Sequence, residues 1–567
     1  MAAQRSFLTV ALLWLRLASI VSCLTGELAV ASGRISLVHE LISATVKGIS
    51  FPSLVDVTLD ELSKGLEDGL FTSVDLVNTY LARINQVNGT LNVVTEVNPD
   101  ALKIAGDLDV QRAQGVIKGP LHGIPILIKN NIATADEMNN TAGSWALLGA
   151  KVPEDSFVAK KLREAGAVIL GKANLSQWAN YRSTNSSNGW SAYGGQVYAA
   201  YHPQQDPSGS SSGSGVASDL GLAFASLGTE TDGSIVSPSQ RNNLVGIKPT
   251  VGLTSRHLVI PISEHQDTIG PMARTVKDAA YILQAIAGVD PKDNYTSAIP
   301  NNGTIPSYPA ACDTYALRGA RIGVPRNAIA LFSDNTTTTE TDAFEKALGI
   351  LKSAGATVVD TNFTAAEQLV QSRSEMIVLN ADFITNLATY LASLSSNPNN
   401  VTSLAAVRYF TRSFPAEGYP DRDTGIWDAA LDEQGFNNTD PRFWDALQES
   451  EYLGGEGGLL GALARDGLDA VVMPTSFSST WAAIVGAPVV TVPLGFYPAN
   501  ATVVKNRRGN LVDTGPHVPF GISFLGAKFE EAKLIGLAYA YEQRTQTRSK
   551  VRPYIVPNIE IGDYAGY

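Results

Sequence analysis

The sequence predicts an α/β domain built on a central mixed, largely parallel β-sheet with helices on both faces. Short apolar runs, typical of strands buried on both sides, alternate with amphipathic helical segments. This alternation recurs at residues 157–180, 342–360 and 458–474. The 567 residues, 44% hydrophobic and 17% charged, are enough for one large core or two ordinary cores. We therefore predict one large domain over residues 42–560, without internal repeats or coiled coils.

The N-terminus has the pattern of a secretory signal peptide in residues 1–31. Arg5 precedes an apolar run from Phe7 to Val21, and small residues follow. Such a run is too short for a good membrane span. We predict cleavage within residues 22–31, secretion, and no stable membrane insertion afterwards. The alternatives are an N-terminal membrane anchor or an ordinary hydrophobic helix.

Cysteine usage and charge exclude several classes of protein. The two cysteines are Cys23 and Cys312, and if Cys23 leaves with the signal peptide no intrachain disulfide remains. The net charge of −12 argues against nucleic acid as the main partner.

Sequons favour a glycosylated secretory protein. Two of them, at Asn174 and Asn185, are expected close to the core. The sequons occur at Asn88, Asn139, Asn174, Asn185, Asn294, Asn302, Asn335, Asn362, Asn400, Asn437 and Asn500.

The first part of the domain is predicted to be helical scaffold, and a buried strand follows it. Thr58 and Thr72 are the capping residues of two amphipathic segments. Residues 124–128 form a nearly continuous apolar run that ends at Lys129. A lysine at the end of a buried strand loses the water around its ammonium group, which lowers its pKa. The alternative is a lysine that extends to solvent or forms a salt bridge.

Residues 207–249 contain two Gly/Ser-rich turns, GSSSGSG and TETDGS. Such turns are often flexible linkers, but the joining run VASDLGLAFASLG is too apolar for one. It predicts a short helix leading into a buried strand, between two rigid turns. The motif GSSSG matches a nucleophile elbow centred on Ser211, but no strand precedes it. No P-loop, dinucleotide or metal spacing occurs, so we expect no cofactor and no metal.

The later chain adds a helix from Thr275, two buried strands and a closing helix. Residues 363–455 have weaker strand signals and many aromatic residues. This stretch is predicted to be a helical insertion that lines the substrate pocket and favours an apolar or aromatic acyl group. A peripheral helical cap is the alternative interpretation.

The lysine and the two serine turns, in this order, resemble the amidase signature family, and most of all its secreted fungal-type amidases. The resemblance is carried by GPLHGIPILIKNNIAT, PSGSSSGSG, GTETDGSIVSPS, VGIKPTVGLTSR and QDTIGPMARTV. These segments lie within about residues 115–290, the predicted catalytic core. The resemblance implies a single amidase-signature domain that hydrolyses a small-molecule carboxamide through an acyl-serine intermediate, without a cofactor.

The family's catalytic residues can be carried over position by position. The resemblance implies that Lys129 is the base, that Ser210, held by a cis peptide bond, relays the proton, and that Ser234 is the nucleophile. Amide hydrolysis needs such a base, because a serine hydroxyl is inert until its proton is removed. The oxyanion and substrate-binding positions fall on Thr231, Asp232, Gly233 and Ser211.

The sequence departs from the family pattern without losing a catalytic atom. Asp232 stands where glycine is usual, and Val236 replaces an arginine, so both are expected to affect substrate choice. Two alternative functions stay open: an inactive amide-binding relative, and an amidotransferase-type subunit that supplies ammonia to a partner. The predicted signal peptide argues against the second. The other departures are Ser208, Ser212, Glu230 and Asn130.

Overall fold

The computed structural model describes residues 51–334 and 336–566. The predicted signal peptide, Cys23, the first nine residues of the predicted domain and the sequon at Asn335 lie outside these residues. None of the helices in the described ranges is long and apolar enough to cross a membrane.

A mixed sheet of eleven strands forms the centre of the described chain, as predicted. The strands are β1 (Val94–Val97), β2 (Pro125–Lys129), β3 (Val168–Ala173), β4 (Ala225–Glu230), β5 (Val245–Lys248), β6 (Thr268–Ala273), β7 (Arg321–Pro325), β8 (Thr357–Thr361), β9 (Ala470–Pro474), β10 (Val489–Phe496) and β11 (Pro519–Leu525). Their order is β1-β3-β2-β4-β6-β5-β10-β11-β9-β7-β8. Pairing is parallel within β3-β2-β4 and within β9-β7-β8, and antiparallel between all other neighbours.

Helices cover both faces of this sheet. Every residue of β3, β4, β6 and β11 is buried. Because successive side chains point to opposite faces, such strands must be covered on both sides. The helices are α1 (Leu59–Glu67), α2 (Ser73–Leu91), α3 (Ala101–Ala113), α4 (Phe157–Glu164), α5 (Ser212–Asp219), α6 (Val236–Arg241), α7 (Val276–Ile286), α8 (Arg326–Phe332), α9 (Thr338–Ser353), α10 (Ala366–Gln371), α11 (Ser374–Ala392), α12 (Leu404–Ser413), α13 (Gly425–Asp428), α14 (Pro441–Gly454), α15 (Leu459–Arg465), α16 (Ser479–Ala483) and α17 (Glu531–Thr545).

Local sequence signals set the starts of several helices. Thr58 and Thr72 each close a capping box at the first residues of α1 and α2, as predicted. Thr275 caps α7 by accepting a hydrogen bond from the backbone N–H of Asp278. The run between the two serine turns forms α5 and β4, and every residue of both is buried. The linker interpretation of this run is therefore excluded.

Residues 363–455 form α10–α14, and a buried ion pair joins them to the rest of the chain. Arg182 and Glu417 lie 3.0 Å apart, with side chains 2% and 0% exposed. The Glu417 carboxylate also accepts hydrogen bonds from Ser144 Oγ and Gln177 Nε2, both at 2.6 Å. Glu417 of the helical segment thus binds several buried donors from the rest of the chain.

The sequons differ in exposure. Asn174 is fully buried, and its side-chain amide donates to the carbonyls of Asn92 and Gly194, so it cannot carry a glycan in this fold. Asn185, expected close to the core, is instead exposed, because it lies in a surface loop. Glycosylation at the other sites stays a prediction. The exposed ones among them are Asn294, Asn302, Asn362, Asn400 and Asn500.

Replacing Glu417 should destabilise the protein strongly. We expect Glu417→Ala to lower the free energy of unfolding by about 3–5 kcal/mol, because Arg182 would remain buried without its carboxylate. Urea unfolding measures this change. Asp107→Ala is a matched control, since it removes an exposed partner of Lys103 and should cost less than about 1 kcal/mol. Equal losses in the two variants would contradict the role given to the buried pair.

Candidate active site

Lys129 ends strand β2 and is fully buried, as predicted. Strands β2 and β4 are parallel neighbours, with Ile128 opposite Leu227, so their carboxyl ends meet at one edge of the sheet. This register brings the Lys129 amine to Thr229, whose carbonyl and hydroxyl oxygens lie 3.0 and 2.9 Å from Nζ. The third neighbour of Nζ is the Ser210 hydroxyl, at 2.7 Å. Lys129 therefore contacts neutral oxygens and not a carboxylate.

These three contacts suit an amine that is neutral near pH 7. Burial lowers the pKa of Lys129 to about 7, although the charges of Asp267 and Glu230 oppose the shift. A neutral amine has two N–H donors and one lone pair. The two N–H groups match the two oxygens of Thr229, and the lone pair can then accept the Ser210 O–H. The site can thus hold Lys129 as a base directed at Ser210.

The two serine turns are joined although they lie far apart in sequence. The Ser211 N–H donates to the Ser234 carbonyl at 3.2 Å. The Ser208 and Ser237 hydroxyls add a second link at 2.8 Å. The peptide bond from Gly209 to Ser210 is cis. These contacts place the turn of Ser210 next to the turn of Ser234, and their joint role in catalysis stays a prediction.

The turn that carries Ser234 has free hydrogen-bonding groups. Neither the Ser234 hydroxyl nor the backbone N–H groups of Asp232, Gly233 and Ser234 hydrogen bond to any other described residue. The two serine turns therefore meet through backbone and neighbouring side chains, and not through a Ser210–Ser234 hydroxyl contact. Gly233 has a φ of +79°, a conformation in which glycine avoids strain. Unpaired N–H groups on such a turn can bind a negatively charged oxygen.

Two side chains hold this arrangement from behind. The Glu230 carboxylate accepts the N–H groups of Ile235 and Val236, at 2.6 and 2.9 Å, just after the predicted nucleophile. The Ser211 hydroxyl is buried and pairs with the backbone of Thr229, donating to its carbonyl at 3.1 Å. Ser211 thus supports the residue that holds Lys129, and its hydroxyl is not directed at open space.

Two acidic residues, Asp232 and Glu375, lie on one side of the Ser234 turn. Asp232 Oδ2 accepts a hydrogen bond from Thr480 at 2.6 Å. Glu375 accepts one from Gln266 Nε2 at 2.9 Å, and the same nitrogen lies 3.5 Å from the Thr231 carbonyl. Burial raises the pKa of Asp232. Burial and the nearby charge of Asp232 raise the pKa of Glu375 to about 8.

Residues outside the predicted set complete the site. Strand β6 runs antiparallel to β4, with Thr268 opposite Glu230, so the residues just before β6 lie beside the Ser234 turn. Asp267 accepts the Thr231 hydroxyl at 2.6 Å, and burial raises the pKa of Asp267 to about 6. Asp267 belongs to QDTIGPMARTV, one of the segments that carry the family resemblance, so the sequence did point to this region. The other residues that sequence reasoning missed are Thr229, Gln266, Glu375 and Thr480.

A cavity lies beside Asp267, although neither Ser234 nor Asp232 nor Glu375 lines it. It has a volume of about 260 Å³, and its lining includes Asp267 together with Asn386 and Tyr390 of the helical segment. Other aromatic residues of that segment lie elsewhere: Trp427 is fully buried, and Tyr409 is 76% exposed. The expectation that the segment lines the substrate pocket stays a prediction.

One cluster in the described chain has the spacing of metal ligands. The ligand atoms of Glu264, His265 and Asp382 lie within 4.8 Å of one another. However, Asp382 Oδ2 already pairs with His265 Nδ1 at 2.7 Å, and its Oδ1 accepts Asn438 Nδ2 at 2.9 Å. These contacts satisfy the carboxylate without an ion, and the cluster joins a loop to α11.

Comparison with known proteins finds relatives that match most of the chain. The family model described as Amidase matches residues 75–535. An Arthroderma benhamiae protein named "Putative amidase" is 55% identical over 532 residues, covering 90% of this chain and 89% of that protein. The native peptide amidase of Stenotrophomonas maltophilia matches with a TM-score of 0.78 and 38% identity, covering 88% of this chain and 98% of the other. More distantly, a glutamyl-tRNA(Gln) amidotransferase subunit from Halorhodospira halophila is 30% identical over 515 residues, covering 87% of this chain and 98% of that protein.

The protonation state of Lys129 can be measured directly. In protein carrying [ε-¹³C]lysine, the NMR resonance of Lys129 should titrate with a pKa of about 7, because the amine is buried. Lys172 and Lys248 are also buried, with pKa values of about 7 and 8, so Lys129→Met is needed to assign the signal. If the resonance that disappears in Lys129→Met titrates instead near an ordinary lysine pKa of about 10.4, the description of the site is wrong.

Proposed function

Because the chain belongs to the amidase family, we propose that it hydrolyses a carboxamide with Ser234 as nucleophile, Ser210 as proton relay and Lys129 as base. The observation that carries this proposal is the buried Lys129 amine, 2.7 Å from the Ser210 hydroxyl beside the Ser234 turn. A base with a pKa near the working pH is well matched to proton transfer.

In the first half of the reaction Ser234 becomes acylated. Lys129 takes the Ser210 proton while Ser210 takes the Ser234 proton, and Ser234 Oγ attacks the carbonyl carbon of the amide. The oxygen of the tetrahedral intermediate accepts N–H groups of the turn formed by residues 231–234. The proton then returns through Ser210 to the leaving nitrogen. The C–N bond breaks, and ammonia or an amine leaves an ester on Ser234.

Water completes the cycle by the same route. Lys129 again accepts a proton through Ser210, this time from a water molecule that attacks the acyl-Ser234 ester. The oxyanion is held as before, and the proton returns to Ser234 Oγ as the carboxylic acid leaves. The Ser234 hydroxyl is free of other hydrogen bonds in the described chain, so it can turn toward Ser210 when substrate binds. Such contacts often tighten only in the substrate complex.

The structural similarity to the Stenotrophomonas maltophilia peptide amidase suggests which substrates to test first. Because that neighbour is a peptide amidase, peptide amides are the first substrates to test, together with small linear carboxamides. Secretion is part of the proposal, and the exposed sequons fit it. The amidotransferase alternative would require a partner that receives ammonia, which a secreted hydrolase does not need. The inactive alternative would leave the buried lysine without a role.

Loss of the Ser234 hydroxyl should abolish turnover. We expect Ser234→Ala to lower kcat/KM by at least about ten-thousandfold, because no other hydroxyl can take over the attack. In the wild type, peptide mapping of acid-quenched reactions should find the acyl group on Ser234. Ser211→Ala is the matched control, because it removes only a supporting hydrogen bond and should cost about tenfold or less. An acyl adduct on Ser211, or unchanged turnover by Ser234→Ala, would refute the assignment.

A further inference from the structure

Asp232 and Glu375 place two carboxyl groups beside the predicted nucleophile. Asp232 belongs to the turn that ends at Ser234, and Glu375 lies in the first turn of α11. Gln266 links the two sides, since its Nε2 lies 2.9 Å from Glu375 Oε1 and 3.5 Å from the Thr231 carbonyl. Both residues are of intermediate exposure, although their carboxyl groups themselves are buried.

No cation of the described chain pairs with either carboxyl group. Every salt bridge in residues 51–334 and 336–566 involves other acids. Asp232 Oδ2 accepts the Thr480 hydroxyl at 2.6 Å, and the nearby Ser479 hydroxyl also lowers the pKa of this carboxyl group. Asp232 Oδ1 is buried and has no hydrogen bond of good geometry among the described residues. A buried acceptor left without a donor is costly, and the Asp232 charge acts unfavourably on an ionised Glu375 when no cation lies between them.

The described residues near the predicted nucleophile also offer no positive charge that pairs with Asp232 or Glu375. The position after Ile235 carries Val236, an apolar residue that is fully buried, so it offers no positive charge there. The charge of the buried Lys248 also acts on Asp232, but its amine donates to the Ala487 carbonyl at 2.6 Å and not to a carboxylate. Raised pKa values of Asp232 and Glu375 show that the pair holds its negative charge poorly on its own.

We propose that Asp232 and Glu375 determine specificity by binding a protonated amine on the acyl part of the substrate. The inference rests on the proposed function. For a primary carboxamide the leaving group is ammonia, so any group that the enzyme recognises must lie on the acyl side. An ammonium group brings a positive charge, which the two carboxyl groups lack. It also brings N–H donors, one of which can pair with Asp232 Oδ1. Binding would let both carboxyl groups ionise together.

The test compares amides that differ only in this charge. ω-Aminoalkanamides with chains of about three to six carbons are paired with isosteric alkanamides, in which a methyl group replaces the ammonium group. The measurement is the ratio of kcat/KM within each pair, at one pH, because the ratio cancels general effects on stability or on the catalytic groups. Several chain lengths are used because the best spacing between carboxamide and ammonium is found by the experiment itself.

The variants are Glu375→Gln and Asp232→Asn, and Glu367→Gln is the matched control. Glu367 is exposed on α10, so its substitution makes the same change in net charge away from the site. We expect the wild type and the control to prefer at least one amino amide by about ten- to a hundredfold, and both site variants to lose most of this preference.

The other outcomes contradict either the inference alone or the proposed function together with the inference. A wild-type ratio of one or less at every chain length would overturn the inference alone, provided that the neutral amides are hydrolysed. A preference that survives in both Glu375→Gln and Asp232→Asn would do the same. Hydrolysis of neither series, or of any other carboxamide, would overturn the proposed function and the inference with it.

Discussion

The burial of one amine at the end of β2 governs the rest of the site. A charged ammonium group in this position would lose most of its hydration, so Lys129 has a pKa of about 7 and its neutral form is readily populated. Thr229 supplies two oxygens that hold the amine, which leaves its third direction for Ser210. The predicted chemistry depends on this arrangement, because without a neutral base neither serine can lose its proton.

The sheet topology explains how one edge collects so many functional groups. Parallel pairing of β2 and β4 brings Lys129 to Thr229 and to the turn that follows β4. Antiparallel pairing of β6 with β4 then adds the residues just before β6, including Asp267. Helix α5 starts at the other serine turn and is followed by β4. Ser210, just before α5, is held by Lys129 and by the Ser176 N–H, which donates to the Ser210 carbonyl at 3.0 Å.

Features encoded by short sequence patterns could be predicted, and those encoded by distant contacts could not. Capping residues, buried apolar strands and the order of lysine and serine turns lie within local segments, and the structure agrees with them. Glu375 contacts Gln266 across 109 residues, and Thr480 contacts Asp232 across 248. No periodicity or spacing links such positions, so Glu375 and Thr480 became visible only in the fold, although Asp232 could be singled out from the sequence. The prediction that Asn185 lies close to the core was wrong, because its segment forms a surface loop.

The central claim is that neutral Lys129 activates Ser234. The pH dependence of Ser234 phosphonylation by a fluorophosphonate, in the wild type and in Lys129→Met, tests it most directly. With a Lys129 pKa of about 7, the wild-type rate should rise tenfold per pH unit at low pH and level off above about pH 7, because only the neutral amine accepts a proton. Lys129→Met should react slowly at every pH and lack this rise. The same pH dependence in both proteins would contradict the claim.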